Sequence, residues 1–251
     1  MVKKPYIKRL GKISAFQVWI VDGSYIRKNI YREFTNFGQH YRFKFIPKNE
    51  FWIDKSYGES EEKYYITHLL VENKLMALGK SYNIALERAN KIEKRERRKS
   101  KLIKRLESIK WHKKEIILKK IRKVILKSHS SYIKIWIVNG KLVRSLFYID
   151  FTEGGHDKVY PFIPKNEIWL DDAVSQKERK YILLHESHER FLMAKGLSYD
   201  RAHKSSSKIE HFCRAHSHCL YAKLKEEIKE NNKMIKYEYS LLKKSKLANQ
   251  F

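Results

Sequence analysis

From residue 16 the apolar positions keep one period, then change to another, and the same change recurs 117 residues later. Phe16 to Val21 and Ile133 to Val138 alternate apolar and polar positions, the pattern of a half-buried strand. Each run closes on Asp22-Gly23 or Asn139-Gly140, dipeptides that favour a tight type I′ hairpin, so a returning strand is expected. Tyr41 to Ile46 followed by Phe51-Trp52-Ile53, and in the second copy Lys158 to Ile163 followed by Ile168-Trp169-Leu170, predict further short strands around an Ile-Pro-Lys-Asn turn. The period then lengthens. Ser175-Gln176-Lys177-Glu178 is a capping box that starts a helix running to Gly196, and Ser198 caps a second helix toward Ala215. The first copy repeats this with Gly79 and Ser81, although Gly58 stands where Ser175 does, so its first helix start is less well specified.

The two stretches are one domain duplicated. Residues 16–98 align without a gap on 133–215, and 33 of 83 positions are identical. Trp19-Ile20-Val21 matches Trp136-Ile137-Val138, and Phe45-Ile46-Pro47-Lys48-Asn49-Glu50 matches Phe162-Ile163-Pro164-Lys165-Asn166-Glu167. The period is too long for a solenoid unit, so two tandem domains are expected. The fold class is α+β: each copy a small antiparallel sheet followed by two helices, the copies joined by a basic helical linker, with a C-terminal helix after them. The boundaries read as 14–98, 99–130, 131–216 and 217–251. In the linker Leu102, Leu106, Ile109, Ile116, Ile117, Ile121 and Val124 recur at mostly helical spacing, as do Leu224, Ile228, Met234 or Ile235, and Leu241 or Leu242 near the C-terminus. Two such stripes could pair with each other or cover the sheets.

Composition narrows the class. The 251 residues carry 55 Lys+Arg against 28 Asp+Glu, a formal +27, yet 42% are hydrophobic and 13% aromatic, too much for a wholly disordered polycation. No window is long and apolar enough to span a bilayer, and Met1 to Pro5 leads into no signal stretch. A soluble, cytoplasmic or otherwise intracellular protein is expected, virion association included, with no membrane partner. Cys213 and Cys219 alone make no disulfide framework and fit a reducing compartment. Lys91 to Lys127 holds 17 Lys/Arg and 4 Glu, so contact with nucleic acid or another polyanion is expected there. Its candidates are Arg97, Arg98, Lys101, Lys104, Arg105, Lys113, Lys114, Lys119, Lys120, Arg122 and Lys123. The competing reading is a solvated helix face. Trp111 could stack on bases, as could Tyr64 and Tyr65 if they were exposed. No finger spacing, glycine-rich phosphate loop or other sequence-reading motif is present.

The richest chemistry lies in Leu184-His185-Glu186-Ser187-His188-Glu189. On a helix, residues four apart share a face, so His185 and Glu189 can both address one cation while Glu186 leans beside it. Glu186 would then be the general base toward a water at the metal. His203, early in the next helix, could fold back as third ligand, and His188 competes for that place. The bland alternative pairs Glu186 and Glu189 with surface Lys or Arg. The first copy keeps the pair as His68 and Glu72 but has Leu69, Val71 and Leu86 at the positions of Glu186, His188 and His203, the pattern of one working and one degenerate site. His211, Cys213, His216, His218 and Cys219 could hold a second zinc, although their spacing fits no standard finger. His156, in the glycine turn Glu153-Gly154-Gly155-His156, reads as a turn residue or a contact on the substrate side.

His185-Glu186-x-x-Glu189, followed by Met193-Ala194-Lys195-Gly196-Leu197-Ser198-Tyr199-Asp200 and Ala202-His203, resembles the compact zincin-like metallopeptidase domains found in small phage-type proteins. The resemblance covers the second copy and implies zinc, a base glutamate and a helix carrying the third ligand. Glu189 departs from the usual second histidine, which puts proteolysis itself in question. Two functions are therefore expected, compatible with each other: a zinc-dependent, peptidase-like hydrolase, and a non-enzymatic protein associated with nucleic acid or ribonucleoprotein.

Overall fold

The computed structural model describes residues 5–57, 60–109, 114–126 and 132–248, except for the side chains of 244–248. Gly58, Trp111 and Lys113 lie outside the described residues. The chain divides into two compact units, Met1–Leu118 with Lys141–Thr152, and Lys119–Gly140 with Glu153–Phe251. The units therefore do not coincide with the two copies, because one segment of the second copy belongs to the first unit.

In the first unit, β1 (Tyr6–Ile13), β2 (Phe16–Val21), β4 (Glu50–Asp54) and β3 (Phe37–Gln39) form a sheet in the order β1-β2-β4-β3. α1 (Gly23–Asn29) follows β2, α2 (Glu62–Ala77) and α3 (Tyr82–Arg97) follow β4, and α4 (Lys101–Glu107) completes the run. After α5 (Lys114–Ile121), the second unit has β5 (Arg122–Ile125), β6 (Lys134–Val138), β8 (Glu167–Asp171) and β7 (Gly154–His156) in the order β5-β6-β8-β7. α6 (Gly140–Leu146), which from Lys141 onward belongs to the first unit, follows β6 in the chain, and α7 (Gln176–Ala194), α8 (Tyr199–Ala215) and α9 (Leu220–Ala248) close it.

The fold is α+β and duplicated, as the pattern predicts, with a correction to the sheets. They are mixed rather than antiparallel: β2 and β4 run parallel with Trp19 opposite Trp52, and β6 and β8 run parallel with Trp136 opposite Trp169. The parallel pair follows from what Asp22-Gly23 does. Gly23 does not take the positive φ of a hairpin turn. Instead the Asp22 carboxylate accepts the Tyr25 backbone N–H at 3.1 Å and caps α1. A Cβ on Gly23 would lie 1.8 Å from Asp54 Oδ2, and one on Gly140 2.0 Å from Asp171 Oδ2, so these glycines answer to close approach rather than to a turn. The returning strand becomes a crossover helix.

Tyr41–Ile46 and Lys158–Ile163 are also not strands. They are consecutive turns, closed by Phe43 N–H to the Gln39 carbonyl and Tyr160 N–H to the His156 carbonyl. Phe43 and Ile46 pack with Phe34 and Trp52 in the core, and turns that bury every second or third residue imitate strand alternation. The helical linker likewise gives way at Arg122 to β5, which pairs with β6. Of its apolar positions Leu106, Ile117 and Ile121 are buried, whereas Leu102, Ile116 and Val124 are exposed.

The predicted helices of the second copy form as read. Ser175 Oγ accepts the Glu178 N–H, Gly196 ends the helix at φ 94°, and Ser198 takes the N-cap position of α8, although its side chain makes no capping hydrogen bond. In α9, Leu224, Ile228 and Ile235 are buried, whereas Leu241 and Leu242 are exposed, so the apolar stripe ends before them. This helix packs along α7, where Asn231 Nδ2 donates to the Ser187 carbonyl at 2.8 Å. Among the described residues, no helix is long and apolar enough to cross a membrane.

Candidate metal centre

The short turn after α7 returns the chain as α8, and this brings His203 back over the His185–Glu189 face. His203 Nδ1 lies 2.7 Å from Glu189 Oε2 and 3.1 Å from His185 Nε2, and His185 Nε2 lies 3.5 Å from Glu189 Oε2. The three atoms can be tested against a cation. Four ligands on zinc at about 2.05 Å define a tetrahedron with edges of about 3.3 Å, and the observed separations bracket that edge. The donors are two imidazole nitrogens and a carboxylate oxygen, a set suited to a divalent transition metal. His203 is 38% exposed, against 4% for Glu189, so the cluster is open on the side of α8.

Behind these atoms the site is braced. Glu210 Oε2 accepts from His185 Nδ1 at 2.8 Å, which leaves the Nε2 lone pair facing the other two donors. Arg214 Nε donates to Glu210 Oε1 at 2.8 Å, and its Nη1 donates to Glu178 Oε2 at 2.7 Å. Burial works against charge on His185, yet hydrogen bonds to Glu189 and Glu210 hold its pKa well above the usual value. Burial likewise opposes ionisation of Glu189, but hydrogen bonds from His156, His185 and His203 hold it far below the carboxylate range. The Glu210 carboxyl, also buried, is held at about 2 by His185 and Arg214. Glu186 goes the other way: burial first, then the Glu189 charge, pushes it up to about 8. Anionic groups thus draw positive charge to this point, and the protons held on His185 and Glu186 are what a cation would replace.

Glu186 belongs to the cluster, since it forms with His156 and Glu189 a second group of closely spaced donors. Its place is made by a glycine: a Cβ on Gly154 would meet Ile182 Cγ2 at 2.9 Å and Glu186 Cγ at 3.2 Å.

The first copy keeps the brace and loses the opening. His68 Nδ1 is 2.9 Å from Glu93 Oε2 and His68 Nε2 is 3.5 Å from Glu72 Oε2. Arg97 Nε donates to Glu93 Oε1 at 2.8 Å and Arg97 Nη1 to Glu61 Oε1 at 2.6 Å. Every member has its counterpart 117 residues later. Where the second copy has Gly154 and Glu186, the first has Phe37 and Leu69. The Phe37 ring packs on His68, with centroids 4.9 Å apart, and Leu69 is fully buried. The first-copy His–Glu pair is a closed, buried ion network.

His185, Glu186, Glu189 and His203 come together as the sequence suggests. His188 does not: its Nδ1 lies 2.9 Å from Glu227 Oε1 on α9 and its Nε2 2.9 Å from Ser205 Oγ on α8, so both ring nitrogens are committed and it is not a ligand. Nor do His211, Cys213, His216, His218 and Cys219 form a metal-holding group among the described residues. Cys213 and Cys219 have sulfurs 2.7 Å apart, and burial with this neighbour pushes the Cys213 thiol up to about 12. His156, expected as a turn residue or a contact on the substrate side, instead lies buried at the end of β7 with Nε2 3.1 Å from Glu189 Oε1, and Glu210 is a participant the sequence reading does not name. Retention of Glu93 and Glu210 in both copies, and the joint change of Phe37 to Gly154 and Leu69 to Glu186, were the available signals.

The basic candidates separate. Arg97 is 1% exposed and neutralised by Glu61 and Glu93, so it is withdrawn as a polyanion contact. Arg122 is paired with Glu167 at 2.7 Å and lies over the Trp136 ring, Lys123 is paired with Asp172, and Arg98 with Glu107 at 2.7 Å. Lys101, Lys104, Arg105, Lys119 and Lys120 are exposed, and Lys114 is partly so. Tyr64 and Tyr65 are core residues.

No family model, curated relative or solved structure matches the chain, so its function has to be read from the chemistry of this cluster.

Proposed function

We propose that the second copy is a zinc-dependent hydrolase domain of the peptidase type, holding the metal through His185, Glu189 and His203. The observation that carries this is the convergence of one atom from each within 3.5 Å of the others, on a face with an open side. A zinc ion there would supply Lewis acidity to a carbonyl and to water. Glu186 provides the base: its carboxylate takes the proton from the attacking water and returns it to the leaving amine. Glu210 holds the His185 ring in the tautomer that offers Nε2. The first copy, with Leu69 and Leu86 in place of base and third ligand, is a scaffold.

The test is zinc-loaded wild type and Glu186→Gln assayed on a mixed peptide library by mass spectrometry. Cleavage by wild type that disappears in Glu186→Gln, with zinc still bound, supports the assignment. Equal cleavage by both removes Glu186 from the chemistry, and no cleavage by either contradicts peptidase activity.

A second, compatible reading rests on α4, where Lys101, Lys104 and Arg105 are all exposed. We propose that this face contacts nucleic acid or another polyanion through phosphate neutralisation. Binding to a random duplex should weaken steeply with rising salt and weaken further in a Lys101→Gln/Lys104→Gln/Arg105→Gln variant; binding that ignores salt rejects it.

A further inference from the structure

Glu189 is shared by two overlapping donor groups, His185/Glu189/His203 and His156/Glu186/Glu189. Its two oxygens face different neighbours. Oε2 lies 2.7 Å from His203 Nδ1, whereas Oε1 lies 3.1 Å from His156 Nε2. A carboxylate with a histidine on each oxygen is what a bridge between two cations needs, so the cluster poses the question of one metal or two.

The other side of the His156 ring answers it. His156 Nδ1 accepts the backbone N–H of Lys158 at 3.2 Å. A backbone nitrogen can only donate, so Nδ1 carries no proton, and the neutral ring carries its proton on Nε2, the atom facing Glu189. A metal-ligating histidine has the reverse arrangement, with one nitrogen lending its lone pair and the other donating to an acceptor. His185 has that arrangement, with Nδ1 on Glu210. His156 does not.

The first copy makes the same connection with a side chain that cannot be a nitrogen ligand. Gln39 occupies the equivalent place on β3. Its Oε1 accepts the Tyr41 backbone N–H at 2.7 Å, and its Nε2 donates to Glu72 Oε1 at 2.7 Å. In both copies a backbone N–H two residues onward fixes the polar end of the side chain, which then donates to the same oxygen of the helix carboxylate.

We infer that His156 is a positioning residue, a neutral Nε2–H donor that occupies Glu189 Oε1, so that Glu189 offers only Oε2 and the centre takes a single divalent cation. The tautomer stands on hydrogen bonding alone; only the count of cations rests on the metal reading above.

Two measurements on the full-length protein test it. Long-range proton–nitrogen NMR of histidine-labelled, metal-free protein, with the His156 signals assigned by their loss in His156→Gln, should show the proton on Nε2 and none on Nδ1. A proton on Nδ1 overturns the inference. Titration with cobalt(II), followed by its visible d–d bands, should give one equivalent and the same spectrum in wild type and in His156→Gln, because glutamine reproduces both hydrogen bonds. His156→Ala should bind about 10- to 100-fold more weakly. Two equivalents in wild type, or bands that change in His156→Gln, overturn the single-cation centre and make His156 a ligand. No cobalt bound to wild type rejects the single cation together with the metal reading, while the NMR result still decides the tautomer.

Discussion

Replacing His68 by Gln leaves Glu72 and Glu93 with a neutral donor between them in place of a protonated ring. The ring is 1% exposed, so solvent does little to screen the exchange. Burial by itself disfavours the charged imidazole, but the hydrogen bonds to Glu72 and Glu93 outweigh it and push the pKa up from 6.5 to about 9. A folded-state pKa raised above the unfolded value contributes stability that is fully present below 6.5 and is lost as pH rises through 9. At about 1.4 kcal/mol for each pH unit between the two values, the contribution is roughly 3 kcal/mol. Tyr6 and Tyr65 are shifted upward, mainly by burial, and stay protonated across this window. The assay is urea denaturation of wild type and His68→Gln at about pH 6 and about pH 9.5, in saturating zinc so that the second copy is held constant. Wild type should lose roughly 3 kcal/mol more than the variant between the two conditions. Parallel losses would show that His68 is not the charged member of the network.

Other substitutions separate the parts of the second copy. Glu210→Gln should weaken zinc about 10- to 100-fold in competition with a chelator, since His185 loses its charged hydrogen-bond partner; unchanged affinity would remove the brace from the account. His188→Ala should leave zinc affinity unchanged while lowering stability by about 1–2 kcal/mol through the lost contacts to Glu227 and Ser205; loss of zinc would reinstate His188 as a ligand. Gly154→Phe should destabilise by crowding Ile182 and Glu186, and adding Glu186→Leu should recover part of the loss by restoring the residue pair, phenylalanine with leucine, that the first copy has at Phe37 and Leu69. A coupling of about 1 kcal/mol or more in thermal denaturation is expected, and strict additivity would contradict the swap.

What could be read from the sequence follows from which forces are local. Capping at Ser175, the stops at Gly79 and Gly196 and the four-residue step from His185 to Glu189 depend on neighbouring residues, and they survive intact in the fold. Sheet direction does not. Asp22-Gly23 has the composition of a hairpin, yet Asp22 caps α1 instead, and the Asp54 carboxylate, more than 30 residues away, sits where a Cβ on Gly23 would be. The aromatic run at Tyr41–Ile46 misleads for the same reason, since burial against Phe34 and Trp52 matters more than its alternation. In the site, His203 was legible because one short turn constrains where α8 returns. His156 and Glu210 were not, because their roles exist only once β7 and the far end of α8 meet α7. Charge was the least transferable signal. Arg97 counts toward +27 yet lies inside the first copy, with Glu61 and Glu93 taking up its charge.

A zinc held by His185, Glu189 and His203 should stay with the folded protein when free metal is removed. Elemental analysis of the purified full-length chain after zinc loading and exhaustive desalting tests it directly. Wild type should retain about one zinc per chain, and His185→Ala/His203→Ala should retain none. A wild type without zinc, or a double variant that keeps its full complement, would contradict the account.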